Sequence, residues 1–438
     1  MPAGMHLTGQ LSEAADQGWP PIAQRWCLVT QFFGNGSGSR PAEASRVFGL
    51  DLLRAVSILM IVYIHAMGVV SAIVDPNIYL IPATDGVSMF FVLSGYLIGR
   101  ILIKTFVERQ GDARSLGQFW IFRWFRTLPS YYLILVILIV AGRMNGSVPD
   151  APVGPFFIFA QNIASKHPAF FGEAWSLAVE EWFYLLMPLL MIGVVWRSPS
   201  VATSRRRLIV LLAVVALASI VARLPAGLGG QIMTYADWDA SLRKQVLTRF
   251  DALAIGVFGA YLSIYRADIW TRNKRLLAVV GAVLIILDRH VFSMYMPYAI
   301  YASLTVLPLS TLLMMPYLSQ MSCRRSLVTD VIEWISRRSY SMYLVNLTLT
   351  YLILSYLPFT WAGAHAVYVK YAAYWVTVFV ISAILHRLWE MPMMNLRERF
   401  RWSTPAKAYG GNAAPAETRT LDLIRPGLTA PTGLTGTS

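Results

Sequence analysis

Hydrophobic positions in this chain come in long unbroken blocks, not at the alternate spacing of strands or the three-four spacing of a soluble helix. Val56–Val70, Leu133–Ala141, Leu208–Val221 and Leu276–Leu287 carry almost no charge. Several extend through mildly polar residues to the ~20 needed to cross ~30 Å of hydrocarbon. The pattern predicts spans near 50–71, 86–104, 127–143, 175–196, 208–223, 250–266, 276–289, 297–320, 339–358 and 367–388. The expected fold is therefore all-α, a polytopic membrane protein of about ten transmembrane helices. Many apolar blocks in series cannot be one signal peptide.

Polar segments divide the rest. Residues 1–46 are rich in Pro, Gly, Ser and Ala, and residues 401–438 in Thr, Pro and Gly, so both are expected to be disordered tails. Between them, 47–400 reads as one membrane domain. The GNGSGS run at 34–39 lacks the Lys-Ser/Thr of a phosphate loop and reads as linker. No internal repeat argues for an inverted-repeat transporter.

Composition agrees: 56% of residues are hydrophobic and only 14% charged, against roughly 25% in soluble domains. The net charge of +14 comes from scattered basic residues. Of the 37 Lys and Arg, 28 fall in the tails and alternate loops (Arg100–Arg126, Arg197–Arg207, Arg266–Arg275, Arg324–Arg338, Arg387 onward). This is the positive-inside bias. It places both termini in the cytoplasm and implies the lipid bilayer, not nucleic acid, as partner. Cys27 and Cys323 form no disulfide framework and no metal spacing; no metal is expected.

Ionisable residues inside spans are costly and so mark function. In GLDLLRAVSILMIVYIHA, Arg54 and His65 lie eleven apart. At ~100° per residue they end about 20° past three full turns, on one face and about 16 Å apart along the axis. In EAWSLAVEEWFYLLMP, Glu180 and Glu181 point about 100° apart, so at most one faces a given partner. Glu180 is expected at the depth of His65, where a carboxylate would orient the imidazole and raise its basicity. Trp175, Trp182 and Tyr184 read as interfacial anchors. Arg123 and Arg126, three apart at the cytoplasmic surface, suit a phosphate or pyrophosphate group. Asp85, Ser94, Glu181 and Asp251 are further site-lining candidates, Ser94-Gly95 also reading as a packing point. Arg249 and Asp251, two apart, should not face each other. His290, His365 and His386 lie at span ends and read as bystanders. The same residues would also serve a transporter or channel carrying protons or substrate.

Five blocks in order make the chain similar to the acyltransferase-3 family of integral-membrane O-acyltransferases, from about 47 to 395. They are GLDLLRAVSILMIVYIH with its Arg-x10-His spacing, DGVSMFFVLSGYLIG, FRWFR followed by Pro129, WSLAVEEWFY, and SYSMYLVN followed by EMP at 390–392. The resemblance implies transfer of an acyl group, usually acetyl from acetyl-CoA as co-substrate with no bound cofactor, to a hydroxyl on a carbohydrate or lipid-linked acceptor in a bacterial inner membrane. By the same resemblance Arg54 and His65 would be the essential pair, Arg123 and Arg126 would engage the donor, and Glu180 would belong to the site. Direct transfer and an acyl-enzyme both stay open, with His65 as the only plausible nucleophile for the latter. Two departures stand out. Where many members have Tyr-Leu-x-His, this chain has Asn346, which cannot titrate or act as base. Some members carry a soluble esterase-like domain, for which the final ~37 residues leave no room, so the membrane domain or a partner is expected to complete the transfer.

Overall fold

The computed structural model describes residues 47–71, 73–74, 85–109, 111–146, 149–195, 198–225, 234–291 and 295–401. Both predicted tails and Cys27 lie outside these residues. Among the described residues every regular element is helical. The principal helices are α1 (Phe48–Val70), α2 (Gly86–Leu102), α3 (Ala113–Met144), α4 (Ala174–Val195), α5 (Val201–Val221), α6 (Phe250–Tyr265), α7 (Lys274–His290), α8 (Leu304–Leu318), α9 (Leu327–Val345), α10 (Thr348–Ser355) and α11 (Ala366–Leu385). Every predicted span falls on helical segments, 339–358 on two of them. Among the described residues, six helical stretches are long and apolar enough to cross a membrane: Phe48–Val70, Gly86–Glu108, Ala113–Met144, Ala174–Val195, Met296–Leu318 and Thr360–Phe400.

Several starts are written locally. Asp85 caps α2 and Asp112 caps α3, each carboxylate accepting from the backbone N–H three residues on; this satisfies a donor that the helix itself leaves open. A reciprocal capping box of Ser326 and Thr329 opens α9. That start sits twelve residues before the predicted ninth span, and α3 begins well before its predicted boundary at 127. Arg123 and Arg126 are therefore not on a separate surface helix; they lie a third of the way along one continuous 32-residue helix.

The predicted span 339–358 is not one helix. α9 stops at Val345, and α10 starts at Thr348 after Leu347 leaves helical geometry (φ −110°, ψ −89°). The cause is local competition for backbone groups. Asn346 turns its amide back onto the carbonyls of Met342 and Tyr343, and Thr350 Oγ1 donates to the Val345 carbonyl at 2.6 Å.

α2 is the central helix, with 72% of its apolar window buried. It packs on α6 with almost no space between backbones. A Cβ on Gly95 would fall on the Leu253 carbonyl, and one on Gly256 on the Val92 carbonyl. This is why small residues stand at mid-span here, as read from Ser94-Gly95. α9 is the unusual partner. Ser336, Arg338, Ser339, Ser341 and Asn346 are all buried, and α9 lies against α1 and α11 as well as touching α3.

Gly95→Ala should lower the thermal midpoint in detergent by the equivalent of about 1–3 kcal/mol, the usual cost of overpacking. Gly154→Ala, where a Cβ would meet nothing within 4 Å, should leave it unchanged; equal behaviour of the two would contradict the packing described.

Candidate active site

The face shared by Arg54 and His65 is turned toward α9. Arg54 Nη1 donates to Ser336 Oγ at 3.4 Å and pairs with Asp51 at 3.5 Å, and Ser336 Oγ donates to Asp51 at 2.6 Å. Ten residues further along α9, Asn346 Oδ1 meets His65 Nδ1. The backbone around the imidazole is clamped from two more helices. Tyr351 of α10 donates to the His65 carbonyl at 2.8 Å, and Tyr374 of α11 donates to the Asn346 carbonyl at 2.6 Å and the Val62 carbonyl at 3.3 Å.

Glu180 does not orient His65. Its carboxylate binds Arg123 Nη2 at 3.1 Å and accepts from Tyr184 Oη at 2.9 Å and from Ser94 Oγ at 3.2 Å. Arg123 also donates to Tyr184 Oη at 2.6 Å and lies 3.9 Å over its ring. The reason is rotational: this side of α4 looks at α2 and α3, which carry Ser94 and Arg123. Glu181, about 100° round the helix, goes elsewhere, accepting from Thr127 Oγ1 at 2.7 Å. Tyr340 of α9 donates to the Thr127 carbonyl at 2.6 Å, tying the two clusters together. Arg126, one turn beyond Arg123, is exposed and forms no ion pair with a described residue. Arg123 Nε and Glu181 Oε2 are buried without a partner, so this cluster has polar capacity left for a ligand.

The remaining candidates separate. Asp85 faces Arg243 at 3.3 Å and Arg249 at 3.7 Å and accepts from Ser88 Oγ at 2.6 Å. Burial opposes its ionisation, but the two guanidiniums override this and hold its carboxyl well below the usual carboxylate range. Asp251 stands apart, paired with Arg223 at 2.5 Å and Thr305 at 2.7 Å, every side chain of that ion pair fully buried. Asp251 thus belongs to a structural knot between α6 and the end of α5, away from the histidine. Arg249 and Asp251 indeed point to different partners.

Other participants were misread or passed over. Trp175 and Tyr184, expected at the interface, are 3% and 1% exposed; Trp175 lies 4.9 Å beneath Arg243, and Tyr184 sits on Glu180 one turn away. The i, i+4 spacing of Glu180 and Tyr184 was the available signal. His386, at its span end, has its Nδ1 2.9 Å from buried Glu390, which also accepts from Ser341 of α9 at 2.6 Å. Glu173, just before α4, accepts from Thr348 Oγ1 at 2.6 Å, and burial pushes its carboxyl up to about 7.

A family model described as an acyltransferase domain (Acyl_transf_3) matches residues 47–387, nearly all of the helical unit that carries these clusters. The chain belongs to the acyltransferase-3 family. It is thus an acyltransferase and an integral membrane protein. Among curated relatives, the peptidoglycan O-acetyltransferase OatA of Listeria monocytogenes is 31% identical over 122 residues, covering 24% of this chain and 19% of that protein. O-acetyltransferase OatA of Staphylococcus aureus strain NCTC 8325 is 31% identical over 157 residues, 33% of this chain and 24% of its own length. A putative O-acetyltransferase of S. aureus strain COL is 29% identical over 158 residues, with the same coverage. The chain thus matches about a quarter or less of these relatives' length. No solved structure matches.

Glu173 supplies a pH test of this acyltransferase's inner packing. A carboxyl raised from 4.5 to about 7 on folding holds its proton longer in the native state. Its contribution to stability is therefore complete below about pH 4.5 and is lost as pH rises through 7. Glu173→Gln, which keeps an acceptor for Thr348 and cannot ionise, should flatten the fall in thermal midpoint between pH 5 and 8. Parallel curves for the two proteins would contradict the assignment.

Proposed function

We propose that this acyltransferase moves an acyl group, acetyl in the simplest case, from acyl-CoA to a hydroxyl of a carbohydrate or lipid-linked acceptor. The observation that carries the reading is the buried polar line along α9. It runs from Arg54 and Ser336, past Tyr340 beside the Arg123–Glu180 cluster, to Asn346 and His65. The names of the O-acetyltransferase relatives support acetyl as the group, and the peptidoglycan in one of them supports a carbohydrate acceptor.

Each residue then has a chemical task. Arg126, uncommitted and exposed, is the entry point for the donor's phosphates, since a guanidinium offers paired donors to phosphate oxygens. Arg123 is already balanced by Glu180, so its role is to hold that carboxylate and to offer its unpartnered Nε. His65 takes the proton from the acceptor hydroxyl as its oxygen attacks the thioester carbonyl. The new C–O bond replaces the C–S bond, and the imidazolium returns the proton to the leaving sulfur, giving free CoA and neutral His65. Arg54 holds the entrance end of the same face through Asp51 and Ser336.

Ten crossings also belong to this reading. α5 and α7 fall short of the six apolar stretches but expose Val210, Val214 and Leu217, and Leu276, Val279, Val283 and Ile286, as lipid-facing helices do. α9 is too polar to register because its polar side is buried in protein. With the basic loops inside, both termini are cytoplasmic in a bacterial inner membrane, and Arg126 faces the compartment that holds acyl-CoA. No structural observation favours transport over transfer.

His65→Ala should abolish acceptor acylation in membranes while the protein still accumulates there; near-normal product would remove the central role of His65. Arg126→Ala should raise KM for acyl-CoA about tenfold or more with kcat little changed. An unaltered donor dependence would place the phosphates elsewhere.

A further inference from the structure

We infer that Asn346 is a positioning residue that fixes His65 in the tautomer with its proton on Nδ1, leaving Nε2 bare to act as the base. The inference rests on the proposed role of His65 and deepens it. It follows from which atom of the amide must face which neighbour. One end of the Asn346 side chain lies 3.1 Å from the Met342 carbonyl and 2.6 Å from the Tyr343 carbonyl. Carbonyl oxygens only accept, so that end must be the NH2 group, and the oxygen is the end that meets His65 Nδ1. An amide oxygen only accepts in turn, so Nδ1 carries the hydrogen. A neutral imidazole has one N–H, and Nε2 keeps its lone pair.

The arrangement is rigid because both residues are held by their backbones. Tyr374 binds the carbonyls of Asn346 and Val62, Tyr351 binds that of His65, and Asn346 is fully buried. The amide also answers the change of charge during reaction. Once His65 takes a proton, the Nδ1–H donor belongs to a cation, and its bond to the amide oxygen strengthens, which favours the transition state over the resting state. The charged groups acting on His65 are Arg243, Lys244 and Asp239, from the segment preceding α6. Those three are paired among themselves and with Asp85 of the α2 cap, and Glu173 beside α4 is engaged with Thr348. Among the described residues no carboxylate takes the place of the amide. Asn346 does not titrate, so it orients His65 at every working pH.

The test is a pH profile in the full-length protein in native membranes or detergent. Asn346→Leu, similar in size but unable to accept, should cut kcat about 10–100-fold with KM for acyl-CoA unchanged. Asn346→His supplies one donor and one acceptor and should retain activity at pH 8.5. Protonation of that second imidazole removes its acceptor, so the acid-side slope of log kcat/KM against pH should rise from one to two. Wild-type kcat in the leucine variant, or an unchanged slope of one in the histidine variant, would overturn the inference. ¹⁵N NMR of histidine-labelled wild-type protein, with His65 assigned by difference from His65→Gln, reads the tautomer even where a substituted chain does not accumulate. It should show the N–H type signal at Nδ1; the reverse tautomer would overturn the inference outright. An active His65→Gln variant would instead sink the reading of His65 itself.

Discussion

Helix α9 carries serines, tyrosines, an arginine and an asparagine into an interior with no water to receive them, and the rest of the site depends on how those groups are satisfied. A buried polar group without a partner costs on the order of 1–3 kcal/mol. α9 limits this by bonding five of its polar side chains to other elements, while Arg338 turns back to the Trp334 carbonyl of its own helix. Ser336 goes to Asp51 of α1, Tyr340 to α3, Ser341 to Glu390 beyond α11, Tyr343 to Ser176 and Glu173 at the head of α4, and Asn346 to His65. Satisfying one helix thus sets the rotation of four others and lines their ionisable residues along it.

That arrangement explains why the functional groups lie in two places joined by one element. At the end bearing Arg54 and Arg126 the groups are cationic and partly exposed. At the other, His65 is held by neutral bonds, with the nearest charges already paired. The Arg123–Glu180 pair lies between, its side chains 13% and 14% exposed. A charge pair that close to full burial is held for its geometry more than for stability, since desolvation offsets much of its attraction.

Much of this was readable in the chain. The ten predicted spans all fall on helical segments, 339–358 on two of them, and simple arithmetic on residues 54 and 65 places both side chains on one face, where both reach α9. The separation of Arg249 from Asp251 followed from the same arithmetic. Partner choice was not readable. Depth alone pairs Glu180 with His65, but the rotation of α4 turns Glu180 to Ser94 of α2 and Arg123 of α3 instead. Trp175 and Tyr184 were placed at the interface because their types are common there, while here their rings cover Arg243 and Arg123. Asn346 was set aside as unable to titrate. That is true of an amide, but a group that cannot exchange protons can still decide which nitrogen of its neighbour holds one. The break between α9 and α10 that brings it to His65 depends on side-chain to backbone bonds that no hydrophobic pattern records.

On the proposed function, a single polar line connects a donor entering at the Arg126 end to chemistry at His65. Reconstitution of the Cys27→Ser protein in liposomes tests it directly. Exposed Cys323, at the start of the segment leading into α9, reports orientation through an impermeant maleimide on a parallel sample. Acyl-CoA supplied only to the face where Cys323 reacts should release free CoA in the presence of acceptor, and acyl-CoA confined to the opposite face should release none. Equal release from both faces, or release only from the face opposite Cys323, would contradict the claim.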